Sequence, residues 1–178
     1  VIDEQKAAIQ LTKHLIDQGH KKIAHISGDV MHVASLLRLQ GYEKVLSEAG
    51  LEINSELVKE GSFDYKKALR CSQELLSLPE NLRPTAIFCS NDEMAAATMM
   101  VASKMGFSVP DQLAIAGFDD SFISKVLWPQ LTSVAQPFSK MAAEAMQQLN
   151  NFPKALEFDP IVRVLPHKLH VRESSTLN

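Results

Sequence analysis

Groups of hydrogen-bonding side chains recur along this chain just past short apolar runs. They are Gly28-Asp29, Gly61-Ser62-Phe63, Ser90-Asn91-Asp92, Phe118-Asp119-Asp120 and Ala135-Gln136. A carboxylate accepts only, an amide donates and accepts, and an aromatic ring offers a flat apolar face, so the set suits a small hydroxyl-bearing ligand. The Asp119-Asp120 pair with Asp92 could also imitate the acidic cluster of a magnesium-dependent phosphoryl-transfer enzyme. That reading lacks the Lys and Ser/Thr expected beside it. No GxSxG elbow, phosphate loop, GxGxxG or HExxH occurs. The six histidines are scattered, without Cys or carboxylate partners at ligand spacing. Neither catalysis, a cofactor nor a metal is expected.

These groups need a scaffold, and the hydrophobic pattern supplies one. Helical spacing predicts helices over 4–18, 33–49, 93–105 and 138–149, one from an Asp64 cap through Leu76, and a short one over 121–127. Asp3 is a plausible cap, and Gly19, Gly50 and Gly106 are plausible stops. Short apolar strands are predicted at 23–26, 58–61, 86–89, 113–118 and 131–134, with 161–165 and 169–171 as a terminal pair. Strands alternating with amphipathic helices mean an α/β fold, a mostly parallel sheet flanked by helices on both faces. Ligands bind such sheets beyond the carboxyl ends of the strands, where the polar groups fall.

The 178 residues, 46% apolar and 22% charged, suit one globular lobe with a core of its own. No apolar stretch is long enough to span a membrane, and none is expected to touch one. A formal charge of −3 with no basic run gives no face for phosphate-backbone binding. Cys71 and Cys89 have no CxxC spacing, so buried thiols in a reducing cytoplasm are the expectation. The chain opens at Val1 in mid-pattern, as a piece of a longer polypeptide would.

Five segments in order, "HLIDQGHKKIAHISG" (14–28), "RLQGYEKVLSEAGL" (38–51), "PTAIFCSNDEMAAATM" (84–99), "GFSVPDQLAIAGFDD" (106–120) and "PQLTSVAQP" (129–137), resemble the LacI/GalR repressors over essentially the whole chain. The resemblance implies one lobe of a type I periplasmic-binding-protein-like core. Residues 1–136 would be the C-terminal lobe, 137–159 a crossover helix and loop toward the other lobe, and 160–178 strands returning to the first. It implies a sugar-like effector in the interlobe cleft, allosteric control of operator DNA through a helix-turn-helix headpiece outside this chain, and a homodimer in the full-length protein. The segment alone would then bind no operator and bind effector weakly. The helix over 138–149 would show an apolar side, Phe138, Met141, Ala145 and Leu149, that docks on another copy or frays.

By the same resemblance Arg38 enters the cleft and donates to ligand oxygens, though a solvated helix arginine is the plain alternative. Phe63 packs against the ligand's flat face, or is a loop residue tucked into the core. Asn91 hydrogen-bonds hydroxyls, and Asp92 beside it could instead cap the next helix. Asp119 grips the ligand, Asp120 caps the helix that follows, and Gln136 lies near hinge and ligand. His32 and Ala34 stand where several members carry Ser or Thr, so an imidazole borders the site and the effector need not be a familiar member's sugar. A periplasmic sugar-binding protein is the competing reading.

Overall fold

Each predicted alternation of apolar strand and amphipathic helix forms in the computed structural model, which describes residues 1–150 and 162–176. In chain order the elements are α1 (Glu4–Asp17), β1 (Ile23–Ser27), α2 (Val33–Glu48), β2 (Val58–Glu60), α3 (Tyr65–Leu76), β3 (Ala86–Cys89), α4 (Asp92–Lys104), β4 (Ala114–Asp119), α5 (Phe122–Val126), β5 (Thr132–Ala135), α6 (Phe138–Asn150) and β6 (Lys168–His170). The sheet runs β2-β1-β3-β4-β5-β6, with every pairing parallel except β5 with β6. Strand order reverses at β1 and β3, which opens a crevice at their carboxyl ends.

Strand side chains alternate between two cores. Ala24, Ile26, Ile87, Cys89 and Ile115 meet α3 and α4 on one face. Ile23, Phe88, Ala116, Phe118 and Val134 meet α1 and α2 on the other. Asp3 caps α1 by accepting from the Lys6 N–H, Asp64 caps α3 by accepting from Lys67, and positive φ angles at Gly19, Gly50 and Gly106 end three helices.

Helices α1 and α2 touch backbone to side chain at Gly41. A Cβ there would lie 2.6 Å from the Gln5 carbonyl oxygen and 2.8 Å from the Ala8 Cβ. This approach sets the first turn of α1 beside the Arg38 turn of α2.

The terminal strand pair is corrected. Lys168–His170 joins the sheet edge antiparallel to β5, but residues 162–164 take no regular structure and Leu165 makes a single parallel bridge to Ile2. β6 already occupies the edge of β5, and Pro166 brings no N–H to a ladder. Ile161 and most of the proposed crossover loop lie outside the described residues. The helix over 138–149 is present as α6, and none of its residues is fully buried: Phe138, Met146 and Leu149 are exposed, while Met141 leans on the α1–α2 core. Among the described residues no helix is long and apolar enough to cross a membrane.

Candidate functional site

Backbone strain is concentrated at the carboxyl edge of the sheet. Among the described residues four non-glycine ones have φ in the left-handed region: Ser62 (53°) and Phe63 (57°) after β2, and Asp119 (103°) and Asp120 (49°) at the end of β4. For residues bearing a Cβ this conformation is uphill and persists where surrounding structure enforces it, often at ligand sites. The enforcement is visible. The Phe63 ring lies against Gly28, where a Cβ would come within 2.1 Å of it. The Asp120 N–H donates to Ser133 Oγ at 3.0 Å.

Arg38 is buried, so the solvated-helix alternative is excluded. Its guanidinium lies 3.6 Å from the centroid of the Phe118 ring and 5.9 Å from that of Phe63. Its Nε donates to Glu4 Oε2 at 2.8 Å and its Nη1 to the Ser90 carbonyl oxygen. An arginine has five N–H donors, so the fork keeps unused ones directed from this corner. His32 is exposed, at the position preceding α2, with its ring 5.8 Å from that of Phe63 in edge-on geometry. Phe63 is half-buried and also packs on the α3–α4 core, so it is at once a loop anchor and a wall of the crevice.

Next to Phe118 in the chain, Asp119 accepts at Oδ1 from Gln136 Nε2 at 2.7 Å. Both line a recess of about 390 Å³ with Lys125, Pro137 and Lys140. Burial holds the Asp119 carboxyl above its ordinary pKa, against the opposing pull of the Gln136 hydrogen bond and the Arg38 charge. Asn91 is only partly available: its Oδ1 caps α4 by accepting from the Met94 N–H at 2.8 Å. Arg38, Phe63 and His32 thus form one group and Asp119 and Gln136 a second, with the Arg38 charge acting on the Asp119 carboxyl; Asn91 caps α4.

The two acidic neighbours have roles that differ from expectation. Asp120 does not cap α5 through backbone N–H groups. It accepts from Arg172 and from Ser124 Oγ at 3.2 Å, and pairs with Lys125 at 3.2 Å. Burial raises its pKa, but the hydrogen bonds and charges of Arg172 and Lys125 outweigh that and hold it below its ordinary value. The backbone at the start of α5 is held by Asp92, whose Oδ2 accepts from the Ser121 N–H at 2.7 Å while its Oδ1 accepts from Ser133 Oγ at 2.6 Å. A carboxylate fully used in this way is a tie between α4, β5 and the turn after β4. Among the described residues no three His, Cys, Asp or Glu side chains converge as metal ligands would.

A family model described as a periplasmic binding protein-like domain matches residues 12–175. Catabolite control protein A of Priestia megaterium is 36% identical over 175 residues, which is 98% of this chain and 52% of the relative. The chain belongs to the periplasmic binding protein-like family, as LacI/GalR regulators carry it. The HTH-type transcriptional repressor PurR of Mannheimia succiniciproducens is 39% identical over 137 residues, 77% of this chain and 40% of the relative. Among solved structures, a transcriptional regulator CelR–cellobiose complex superposes with a TM-score of 0.85 at 34% identity, covering 97% of this chain and 52% of that one. The chain spans about half the length of the curated relatives it matches.

In this LacI/GalR-type lobe, sequence reasoning missed Phe118 as the platform beneath Arg38, Glu4 as its ionic partner, and Ser90 as an acceptor. It also missed His25, fully buried between Tyr42 and Phe88, which donates from Nδ1 to the Phe88 carbonyl and accepts from Ser90 Oγ at Nε2. Burial, with Arg38 adding and the Phe88 hydrogen bond opposing, drives its pKa from 6.5 to about 3. Burial drives that of Asp92 from 3.8 to about 6, against the hydrogen bonds from Ser133 and Ser121.

These two titrations act on stability with opposite signs. Between pH 6.5 and about 3 the unfolded chain protonates His25 and the folded one does not, so its contribution falls on acidification. Between pH 6 and 3.8 the folded chain holds a proton on Asp92 and the unfolded one does not, so that contribution rises on acidification. Urea unfolding as a function of pH reads both. Between about pH 6 and 4, His25→Gln lowers the slope of stability against pH by about one proton, and Asp92→Asn raises it by about one proton.

Proposed function

We propose that the crevice at the carboxyl edge binds a small-molecule effector, a sugar or sugar derivative, and that its occupancy controls operator binding by a helix-turn-helix headpiece elsewhere in the full-length protein. One observation carries the reading: the buried Arg38 fork, stacked on Phe118, acts by its charge on the Asp119 carboxylate that Gln136 holds, with Phe63 beside Arg38 and with Phe63 and Asp119 on strained backbone. Vicinal hydroxyls can accept from the first and donate to the second while a pyranose face lies on Phe63. His32 and the free amide nitrogen of Asn91 border the ligand. A sugar is supported by the cellobiose complex of a related regulator. The periplasmic transport reading needs the same crevice; the regulators among the relatives support control of transcription in the cytoplasm.

Control follows if the effector favours one arrangement of this lobe, residues 1–136 and 160–178, relative to a second lobe joined through the segment 137–159. The full-length protein acts as a homodimer in this reading. An apolar recess between α4 and α5 is lined by Met99, Met100, Phe107, Leu127 and Trp128, where Trp128 is 88% exposed.

Fluorescence anisotropy of full-length protein on its operator, against a panel of mono- and disaccharides, tests the proposal. At least one saccharide shifts operator affinity by about five-fold or more in either direction, the lower end of usual allosteric coupling. Operator affinity unmoved by every saccharide, alongside a periplasmic leader at the true N-terminus, sinks it.

A further inference from the structure

The crevice holds one buried guanidinium, and its charge is already answered from inside the chain. Glu4, in the first turn of α1, reaches Arg38 because α1 and α2 are pressed together at Gly41 and because Asp3 fixes the start of α1. The Glu4 Oε2–Arg38 Nε contact is 2.8 Å, with the arginine side chain 4% and the glutamate side chain 16% exposed. Left alone, a buried arginine fork is a natural receptor for a phosphate or carboxylate, which it meets in two parallel hydrogen bonds. Here the Nε–H is spent on Glu4 and an Nη1–H on the Ser90 carbonyl.

The surrounding charges reinforce this. Asp119 adds a second carboxylate at the same corner, and its raised pKa reflects burial first, with the Glu4 charge contributing in the same direction. Asp29 stands at the rim beside His32. Lys125 and Arg172 are both engaged by Asp120. Lys140 is exposed on α6, where solvent and salt screen it. Among the described residues Glu4 Oε1 has no hydrogen-bond partner, so this carboxylate can still accept from a ligand hydroxyl.

We infer that Glu4 is a specificity-determining residue of the effector site: by neutralising Arg38 from the α1 side, it sets the crevice against anionic ligands and in favour of neutral polyhydroxyl ones. The inference rests on the crevice being the effector site. An anion either displaces Glu4 from a buried guanidinium or takes the remaining N–H groups against the charges of Glu4 and Asp119. A neutral sugar displaces nothing; its hydroxyls accept from the remaining Arg38 N–H groups and donate to Glu4 Oε1 and Asp119, all charge-assisted bonds. Specificity of this kind comes from a built-in repulsive element as much as from an attractive one.

Calorimetric titration of the full-length protein tests it with glucose and cellobiose, glucose 6-phosphate, glucuronate and inorganic phosphate as probes. In the parent, the neutral saccharides bind more tightly than their anionic counterparts by about ten-fold or more, and inorganic phosphate gives no measurable binding. In Glu4→Gln that preference narrows or inverts and phosphate binding becomes measurable, a gain abolished again in Glu4→Gln/Arg38→Gln. A parent that prefers glucose 6-phosphate or glucuronate to glucose overturns the inference, as does a Glu4→Gln protein whose phosphate affinity equals the parent's. Should Glu4→Gln fail to fold, the parent's preference between neutral and anionic probes decides alone. If no saccharide of either kind binds the parent, the effector reading fails, and the phosphate comparison between parent and Glu4→Gln still decides the role of Glu4.

Discussion

Arg38→Ala lowers the stability of the lobe by about 3–5 kcal/mol and abolishes its response to effector, the largest single-residue effect expected here. The substitution strands the Glu4 carboxylate and the Ser90 carbonyl, both of which now face Arg38, and strips the guanidinium from the Phe118 ring. Truncating one partner of a buried pair costs more than the pair is worth, because the other charge stays behind in a poor solvent. For a chain of this size the loss corresponds to a fall in melting temperature of roughly 6–20 °C. Arg38→Lys separates the two consequences. The ammonium keeps a charge beside Glu4 but cannot bridge two acceptors in a plane or stack on an aromatic ring, so much of the stability returns while the response does not. Thermal melts with effector-dependent operator binding on the same preparations check both halves; equal recovery of both by Lys would contradict the assignment.

The second large effect is a crossed pair at the end of β4. Asp119→Asn retains an oxygen to accept from Gln136 and suits a positive φ, since Asn tolerates the left-handed region better than most residues. It removes the charge, so effector affinity falls by about ten-fold or more with little change in melting temperature. Asp120→Ala acts in reverse. It releases Arg172, which ties the C-terminal segment to β5 and α5 through the Leu131 carbonyl and Ser124 Oγ, and leaves that side chain, 14% exposed, without its carboxylate. The cost approaches the 3–5 kcal/mol of a broken buried pair, to which the half-exposed Lys125 contact adds at most about 1 kcal/mol. Effector affinity stays near that of the parent. Titration calorimetry and a melt on each variant suffice, and exchanged phenotypes would show that Asp120 and not Asp119 serves the crevice.

The two aspartates take different partners, as expected, but strand alternation is not the reason: the β4 run is buried throughout and both aspartates have positive φ. The α/β fold and the strand ends were legible because short continuous apolar runs, buried on both faces as strands, alternate with longer segments of helical spacing. What Asp120 does was not legible, since Arg172 lies 52 residues away and reaches it only after β6 closes on β5. Glu4 was hidden in the same way: nothing in its helix marks it, and only the approach at Gly41 brings it to Arg38. Phe118 is core; its second use, as a surface for a cation, depends on what lies over its face. Strain was invisible as well, because Ser62, Phe63, Asp119 and Asp120 carry none of the glycine signal that announces a positive φ. The strand expected over 161–165 shows the limit of apolar pattern alone, since Val162 and Val164 are exposed and β6 takes the edge of β5.

Co-crystallisation of the full-length protein with a saccharide that shifts its operator affinity tests the central claim most directly. The ligand is expected at the carboxyl edge of this sheet, its hydroxyls within hydrogen-bond distance of Arg38 and Asp119 and one face of its ring on Phe63. Ligand density in the Trp128 recess, or anywhere that leaves Arg38 and Asp119 untouched, would contradict it.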